Sequence, residues 1–256
     1  MYPTLFRIGD ISVSSFSVMV LIAFLIAYVL GEGEFKRKGM NSNLTDLLLI
    51  ACVLGGLGGA KLLFLYQQVS IRDFFSDPMR YMASGFTFLG GLTGAIALIW
   101  LVTQMKRVSF LKVLDTIAPV LVLAYAVGRI GCFLVGDDYG VPSNLPWAVS
   151  FPNGSPPTFE TVHPTQIYDT ISMTLVFIYL WSIRKRPYPV GWLTAITFII
   201  LGVQRFLIEF LRTTTPSFIP GLTQAQLISI VMVLIGLVMI YRIKYGSARG
   251  EASQNS

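Results

Sequence analysis

Charge is scarce in this chain. Asp, Glu, Lys and Arg make up only 12% of its 256 residues, against 54% hydrophobic, whereas a soluble domain carries about 25% charged residues. That shortage excludes a water-facing surface over most of the molecule. Histidine is limited to His163, and cysteine to Cys52 and Cys132. Both cysteines fall within apolar runs, where two buried thiols are expected and nothing requires a disulfide. The sequence has no recognisable metal or nucleotide motif, so neither a metal nor a cofactor is implied. No period of 20–50 residues repeats, which argues against the paired halves of many secondary transporters.

What the chain has in quantity is uninterrupted apolar sequence. Lipid offers no hydrogen-bond partners, so a spanning backbone must pair internally, in helices or in a closed barrel. The long unbroken runs select helices. Crossing the hydrocarbon takes roughly 20 apolar residues, and such stretches lie at 11–31, 45–66, 85–104, 114–135, 165–183, 191–211 and 222–242. The expected fold is all-α: a single integral membrane domain over 1–256, built as a polytopic bundle of about seven transmembrane helices. The first stretch follows no basic segment and is longer than a secretory h-region, so it is expected to be retained.

Basic residues cluster after alternate stretches: Lys36, Arg37 and Lys38; Lys106, Arg107 and Lys112; Arg184, Lys185 and Arg186; Arg242, Lys244 and Arg249. Such clusters mark cytoplasmic loops, which predicts an outside N-terminus and a cytoplasmic C-terminus. The net charge of +6 then reflects topology. It is divided among four short loops and does not form one patch interleaved with aromatics, so nucleic acid is excluded as a partner. Of the two outer loops, 67–85 mixes Arg72, Asp73, Asp77 and Arg80 with Phe74, Phe75, Tyr81 and Met82, and is expected along the interface. The other, 136–163, carries Pro, Gly, Asn, Ser, Trp147 and Phe151, and is expected to fold with it as a small outer-face cap.

The informative residues are charges inside apolar stretches: Arg129, Arg205, Glu209 and Lys61. Each needs a partner or water, and such groups mark substrate or ion routes. Arg205, Glu209 and Arg212 stand at i, i+4 and i+7, on one helical face. Several cations near one leaflet suit an anionic ligand, and guanidinium takes phosphate with two parallel bonds. A phospholipid head group is the obvious candidate. The bland readings are that Arg205 and Glu209 merely pair, that Lys61 reaches the interface near Tyr66 as an anchor, and that Gly55, Gly56, Gly58, Gly59, Gly90, Gly91 and Gly94 let helices approach closely. His163 precedes Pro164 where a helix is expected to open; it is either structural or placed to meet both water and a head group.

The run Gly128-Arg129-Ile130-Gly131-Cys132-Phe133-Leu134-Val135-Gly136-Asp137-Asp138-Tyr139-Gly140 resembles the signature of the prolipoprotein diacylglyceryl transferase family. His163-Pro164-Thr165-Gln166-Ile167-Tyr168-Asp169 is similar to that family's His-Pro-x-Gln-x-Tyr-acid stretch, and Arg205 to Arg212 to its late Arg/Glu/Arg helix. The motifs come in the family's order and cover nearly the whole chain.

The resemblance implies a multi-pass protein of the bacterial inner (plasma) membrane. It would transfer diacylglyceryl from phosphatidylglycerol to the lipobox cysteine of a prolipoprotein signal peptide, releasing glycerol phosphate. Arg129, Arg205, Glu209 and Asp137 are then the expected catalytic groups. Gly128, Gly131, Cys132, Gly140, His163, Tyr168, Arg212, Gly90, Gly91 and Lys61 are the expected substrate-binding ones.

The chain departs from the family pattern at Leu89, where a His usually precedes the paired glycines, at Phe16 for a usual Tyr, at Cys132 and Val135 for two Asn, and at Asp137 for Glu. A base must then come from Asp137, Glu209 or His163, or hydroxide must serve at an electropositive site. The competing readings are a relative acting on another anionic lipid, and a lipid or anion transporter.

Overall fold

A computed structural model describes residues 2–9, 11–69, 76, 79, 81, 85–212, 216–217 and 219–254. Most of the expected interfacial loop at 67–85 lies outside the described residues. The described chain contains seven helices: α1 (Ser15–Arg37), α2 (Ser42–Gln68), α3 (Phe88–Met105), α4 (Phe110–Val135), α5 (Thr165–Ile183), α6 (Trp192–Ile208) and α7 (Gln224–Gln254). Five are long and apolar enough to cross a membrane: α1, α2, α4, α6 with the 3-10 turn Glu209–Leu211 that follows it, and α7; Leu89–Met105 is a shorter apolar helix. Side chains such as Leu62, Leu121 and Leu207 stand exposed on these helices, as expected where the surrounding solvent is lipid. The fold is that of a helical membrane bundle.

Two antiparallel hairpins accompany the helices. Strands β1 (Thr4–Ile8) and β2 (Ile11–Ser14) pair with each other, as do β3 (Val149–Phe151) and β4 (Thr158–Val162). The first hairpin corrects the expected helical stretch 11–31. Ile11-Ser12-Val13-Ser14 alternates apolar and polar with the period of a strand, and Gly9 at φ 60° helps turn the chain back. The helix begins only at Ser15, whose N–H donates to the carbonyl of Pro3 at 3.1 Å. The second hairpin gives the loop 136–163 its order.

The chain forms two compact units, one of residues 1–30 and 114–256 and the other of 31–113. In the smaller unit α2 and α3 pack through glycine. A Cβ on Gly55 would stand 2.5 Å from the carbonyl oxygen of Gly94, and one on Gly59 would meet that of Gly90 closer still. Close approach through small residues replaces the hydrophobic driving force that lipid removes.

In the larger unit Val122 and Ala126 of α4, Met173, Leu180 and Ile183 of α5 and Leu193 of α6 form a buried core. Helices α6 and α7 pack through Gly202 and Gly236, whose Cβ atoms would stand 2.7 Å from Val233 Cγ2 and from the carbonyl oxygen of Ala195. The N-terminus of α6 is tied to α4 by Asp115, which accepts hydrogen bonds from the N–H of Gly191 (2.6 Å) and of Thr194 (2.7 Å).

Candidate functional site

The site lies in the larger unit, where the ends of α4 and α6 meet the start of α5. Helix α4 stops at Gly136, whose left-handed backbone (φ 76°) suits glycine. The N–H groups of Gly136 and Asp137 both return to the carbonyl of Cys132. Asp138 is also left-handed, at φ 59°, a conformation that Asp tolerates better than most residues. The loop is held from α5: Gln166 Nε2 donates to the carbonyl of Asp137 at 2.5 Å, and Thr165 Oγ1 to that of Asp138 at 2.9 Å. Both donors are fully buried.

These constraints set a network of guanidiniums and carboxylates. Arg129, 5% exposed, donates from Nη1 to Asp138 Oδ2 at 2.9 Å, and its Nε faces Asp169 Oδ2 at 2.8 Å in an ion pair whose N–H is off line. Asp169 is fully buried and also accepts from Gln204 Nε2 at 2.8 Å. Arg212 Nη2 reaches the other Asp138 oxygen at 2.9 Å. Arg205 pairs with buried Glu209 at 2.9 Å, and Glu209 accepts from Thr223 Oγ1 at 2.9 Å. Two of the three cations thus meet on Asp138, and the third, Arg205, is linked to Arg212 through Glu209. Arg129 Nη2 and Arg212 Nη1 are buried N–H groups without a hydrogen-bond partner among the described residues. Buried donors of that kind are rare unless an acceptor arrives.

The two neighbouring aspartates differ electrostatically. Partial burial opposes ionisation of Asp138, but the Arg212 and Arg129 guanidiniums outweigh it and hold the carboxyl below its ordinary value. Burial pushes Asp137 up, and the charge of Asp138 adds to this against the lowering effect of the Cys132 thiol. The ligand atoms of Cys132, Asp137 and Asp138 lie within 4.8 Å of one another, a spacing that a metal ion could span. The two guanidiniums already on Asp138 oppose a further cation there.

A model of the prolipoprotein diacylglyceryl transferase family matches residues 3–242. The chain belongs to this family. It is similar to the phosphatidylglycerol–prolipoprotein diacylglyceryl transferase of Clostridium tetani, at 34% identity over 93% of this chain and 96% of the relative. It is 32% identical to the Azoarcus enzyme of the same name over 97% of each chain. For the one from Thermotoga maritima the identity is 31%, over 91% of this chain and 81% of the relative. A family of membrane enzymes and several apolar helices together make this a multi-pass membrane protein.

Of the residues expected from the family motifs, the structure brings together Arg129, Arg205, Glu209, Arg212 and Asp137, with Cys132 beside Asp137. Gly140 serves backbone packing: its N–H donates to the carbonyl of His163 at 2.9 Å, and a Cβ there would strike the carbonyl of Leu211. Gly131 lets α4 approach Met19 and Phe16 of α1, whereas a Cβ on Gly128 would meet nothing.

His163 and Tyr168 form a separate chain. Trp147 Nε1 donates to the Tyr168 hydroxyl at 2.7 Å, and that hydroxyl shares a 3.2 Å hydrogen bond with His163 Nδ1.

Lys61, Gly90 and Gly91 belong to the smaller unit. The Lys61 ammonium donates to the carbonyls of Tyr81 (3.2 Å) and Gly85 (2.9 Å) and lies 4.4 Å from the centre of the Phe86 ring. Gly90 and Gly91 pack on α2.

Sequence reasoning left out Asp138, Asp169, Gln166, Gln204 and Thr223 as site residues. Asp169 carried a usable signal: it is a carboxylate only four residues after Thr165 in an apolar stretch, and it answers the need of Arg129 for an acidic partner.

Proposed function

We propose that this chain transfers a diacylglyceryl group from phosphatidylglycerol to the lipobox cysteine thiol of prolipoprotein signal peptides at the bacterial inner (plasma) membrane, releasing glycerol phosphate. The observation that carries the reading is the convergence of Arg129 and Arg212 on Asp138, with Arg205 joined to Arg212 through Glu209, in a chain whose relatives bear that activity's name. Guanidiniums in a site of low dielectric stabilise charge that grows on a departing phosphate. In the reaction a sulfur–carbon bond forms at the glyceryl carbon while the carbon–oxygen bond to phosphate breaks. The electron pair leaves on the phosphate oxygen, and the thiol proton passes to a base.

Asp137 is the best-placed base. Its Oδ1 has no hydrogen-bond partner among the described residues, and its raised pKa brings it closer to that of the thiol. Glu209 is held by Arg205 and Thr223, and His163 is hydrogen-bonded to Tyr168. Arg129 and Arg205 stabilise the leaving phosphate, and Glu209 fixes Arg205. Arg212, Cys132 and the backbone at Gly128, Gly131 and Gly140 shape the binding wall. His163 and Tyr168 meet the head group or the peptide, and Lys61, Gly90 and Gly91 contribute as substrate contacts of the smaller unit.

Membrane placement follows the same reading. The chain is a single integral domain over 1–256 with seven spans, and the loop 136–163 caps the outer face of the larger unit. The basic clusters after the first, third, fifth and seventh spans support an outside N-terminus and a cytoplasmic C-terminus.

The test is to incubate the purified protein in phosphatidylglycerol liposomes with a lipobox-cysteine peptide and weigh the peptide. A mass gain of one diacylglyceryl group is expected. An unchanged mass, with an active relative as control, would overturn the reading in favour of another anionic lipid reaction or of transport.

A further inference from the structure

Asp138 occupies the place that an anionic ligand of the arginines would take. Its two oxygens each accept from a different guanidinium, Arg129 Nη1 on one and Arg212 Nη2 on the other, both at 2.9 Å. Each of those guanidiniums has a second terminal nitrogen, Arg129 Nη2 and Arg212 Nη1, without a hydrogen-bond partner among the described residues. Both arginine side chains are more than nine-tenths buried. A single carboxylate therefore serves half of a four-pronged donor set. The non-bridging and ester oxygens of a phosphate offer enough acceptors for all four prongs.

The carboxylate is also the movable part of the network. Asp169 and Glu209 are fully buried, whereas the Asp138 side chain is 52% exposed. The backbone on either side of it is held by Gln166 and Thr165 through the carbonyls of Asp137 and Asp138. Rotation about the Asp138 side-chain bonds thus withdraws the carboxylate toward solvent while the loop and both arginines stay in place. A group that is pinned at its backbone, exposed at its tip and paired to two buried cations is built to exchange.

We infer that Asp138 is an exchangeable counter-ion of the phosphate site: its carboxylate neutralises Arg129 and Arg212 between turnovers, yields to the lipid phosphate on binding, and returns to displace the glycerol phosphate product. The inference rests on the proposal that these arginines hold the lipid phosphate. Buried guanidiniums with too little opposing charge are costly, and Asp138 adds to the charge that Asp169 and Glu209 already supply in the free enzyme. The same contact weakens binding, because the apparent affinity for any phosphate falls by the fraction of molecules in which the carboxylate stands clear. The returning carboxylate prevents the product anion from lingering on a strongly cationic surface.

The experiment compares the full-length wild type with Asp138→Gly and Asp138→Asn in phosphatidylglycerol liposomes, following transfer to a lipobox peptide with sn-glycerol phosphate as soluble inhibitor. Glycine suits the left-handed backbone at this position, and asparagine keeps the shape without the charge. In both variants KM for phosphatidylglycerol and the inhibition constant of glycerol phosphate are expected to fall together, by about tenfold if the wild-type carboxylate is withdrawn in a tenth of molecules. The melting temperature without lipid is expected to fall as well. Direct binding of glycerol phosphate to the detergent-solubilised protein gives the same readout should a variant turn over too slowly.

Unchanged or raised constants in both variants would overturn the exchange and make Asp138 a positioning residue for the arginines. Wild-type protein that transfers lipid but fails this comparison sinks the exchange alone. Wild-type protein that transfers nothing, and does not bind glycerol phosphate, sinks the phosphate-site reading itself.

Discussion

Thr194 donates twice to Asp115, from its backbone N–H at 2.7 Å and from its hydroxyl at 2.6 Å. Asp115 belongs to the first turns of α4 and Thr194 to the first turn of α6, so one side chain caps a helix that lies 79 residues further along the chain. Gly191, at φ 91°, turns the backbone so that its own N–H joins the same carboxylate. The first N–H groups of a helix have no partner within it, and a buried carboxylate on three donors satisfies them at once. The core of Val122, Ala126, Met173 and Leu193 packs on the same helices.

Asp115→Ala is therefore expected to destabilise the larger unit by about 1–3 kcal/mol, the cost of leaving buried donors unpaired. Thermal unfolding in detergent checks it. Lipid transfer by the folded fraction should be retained, because Asp115 touches none of the arginines.

The α2/α3 contact gives a prediction with its own control. Gly59 and Gly56 lie on the same glycine-rich helix, but a Cβ on Gly59 would strike the backbone of Gly90 while one on Gly56 would meet nothing within 4 Å. Gly59→Val is expected to force the helices apart, costing about 1–3 kcal/mol or more. Gly56→Ala should be neutral or stabilising by up to about 1 kcal/mol through helix propensity. Equal effects of the two substitutions in an unfolding assay would sink the close-packing account.

Much of this architecture was legible in the sequence. Residues 165–183 are helical from end to end as the apolar run required, and α2 and α4 extend only a few residues beyond their expected bounds. The hairpin at Ile11–Ser14 was not, because its alternating residues run straight into the apolar stretch of α1. Charges inside apolar runs pointed to Arg129, Arg205 and Glu209, since few such residues sit there without a reason, and the i, i+4, i+7 spacing added Arg212. Which of the two loop aspartates meets them was hidden. Asp137 and Asp138 are adjacent and chemically alike, and only the left-handed turn at Asp138 decides that it faces Arg129 and Arg212. The Arg129–Asp169 pair depends on how α4 packs against α5, which residue spacing does not encode.

The same two aspartates respond to pH with opposite sign. Asp138 has a folded pKa below its unfolded value of about 3.9. The stability it contributes is present above that value and lost as pH falls through the folded pKa. Asp137 has a raised pKa, so its contribution is present at low pH and lost as pH rises through the folded value. Melting temperatures scanned from about pH 6 down to about pH 3, across the ordinary aspartate range, should show a smaller acid loss in Asp138→Asn and a larger one in Asp137→Asn than in the wild type. In the transfer reaction a base at Asp137 places the acid limb of kcat/KM above the ordinary aspartate range. The residual rate of Asp137→Asn should lack that limb; an unmoved limb would assign the proton to another group.

Arg129 joins structure to chemistry, and the two roles separate by double substitution. Its guanidinium faces buried Asp169 at 2.8 Å and bonds Asp138 at 2.9 Å. Arg129→Ala removes the cation and leaves Asp169 as an uncompensated charge in the interior, which costs about 3–5 kcal/mol. In the proposed mechanism it also removes a donor to the departing phosphate, for which a rate loss of about 10²–10³-fold is expected. Adding Asp169→Asn neutralises the stranded carboxylate, and the carbonyl oxygen of the new amide can still accept from Gln204 Nε2. The double variant is expected to recover most of the melting temperature in detergent while the rate of diacylglyceryl transfer stays low. Recovery of both would make Arg129 a structural counter-ion only, and recovery of neither would show that α4 and α5 need the ion pair to pack at all.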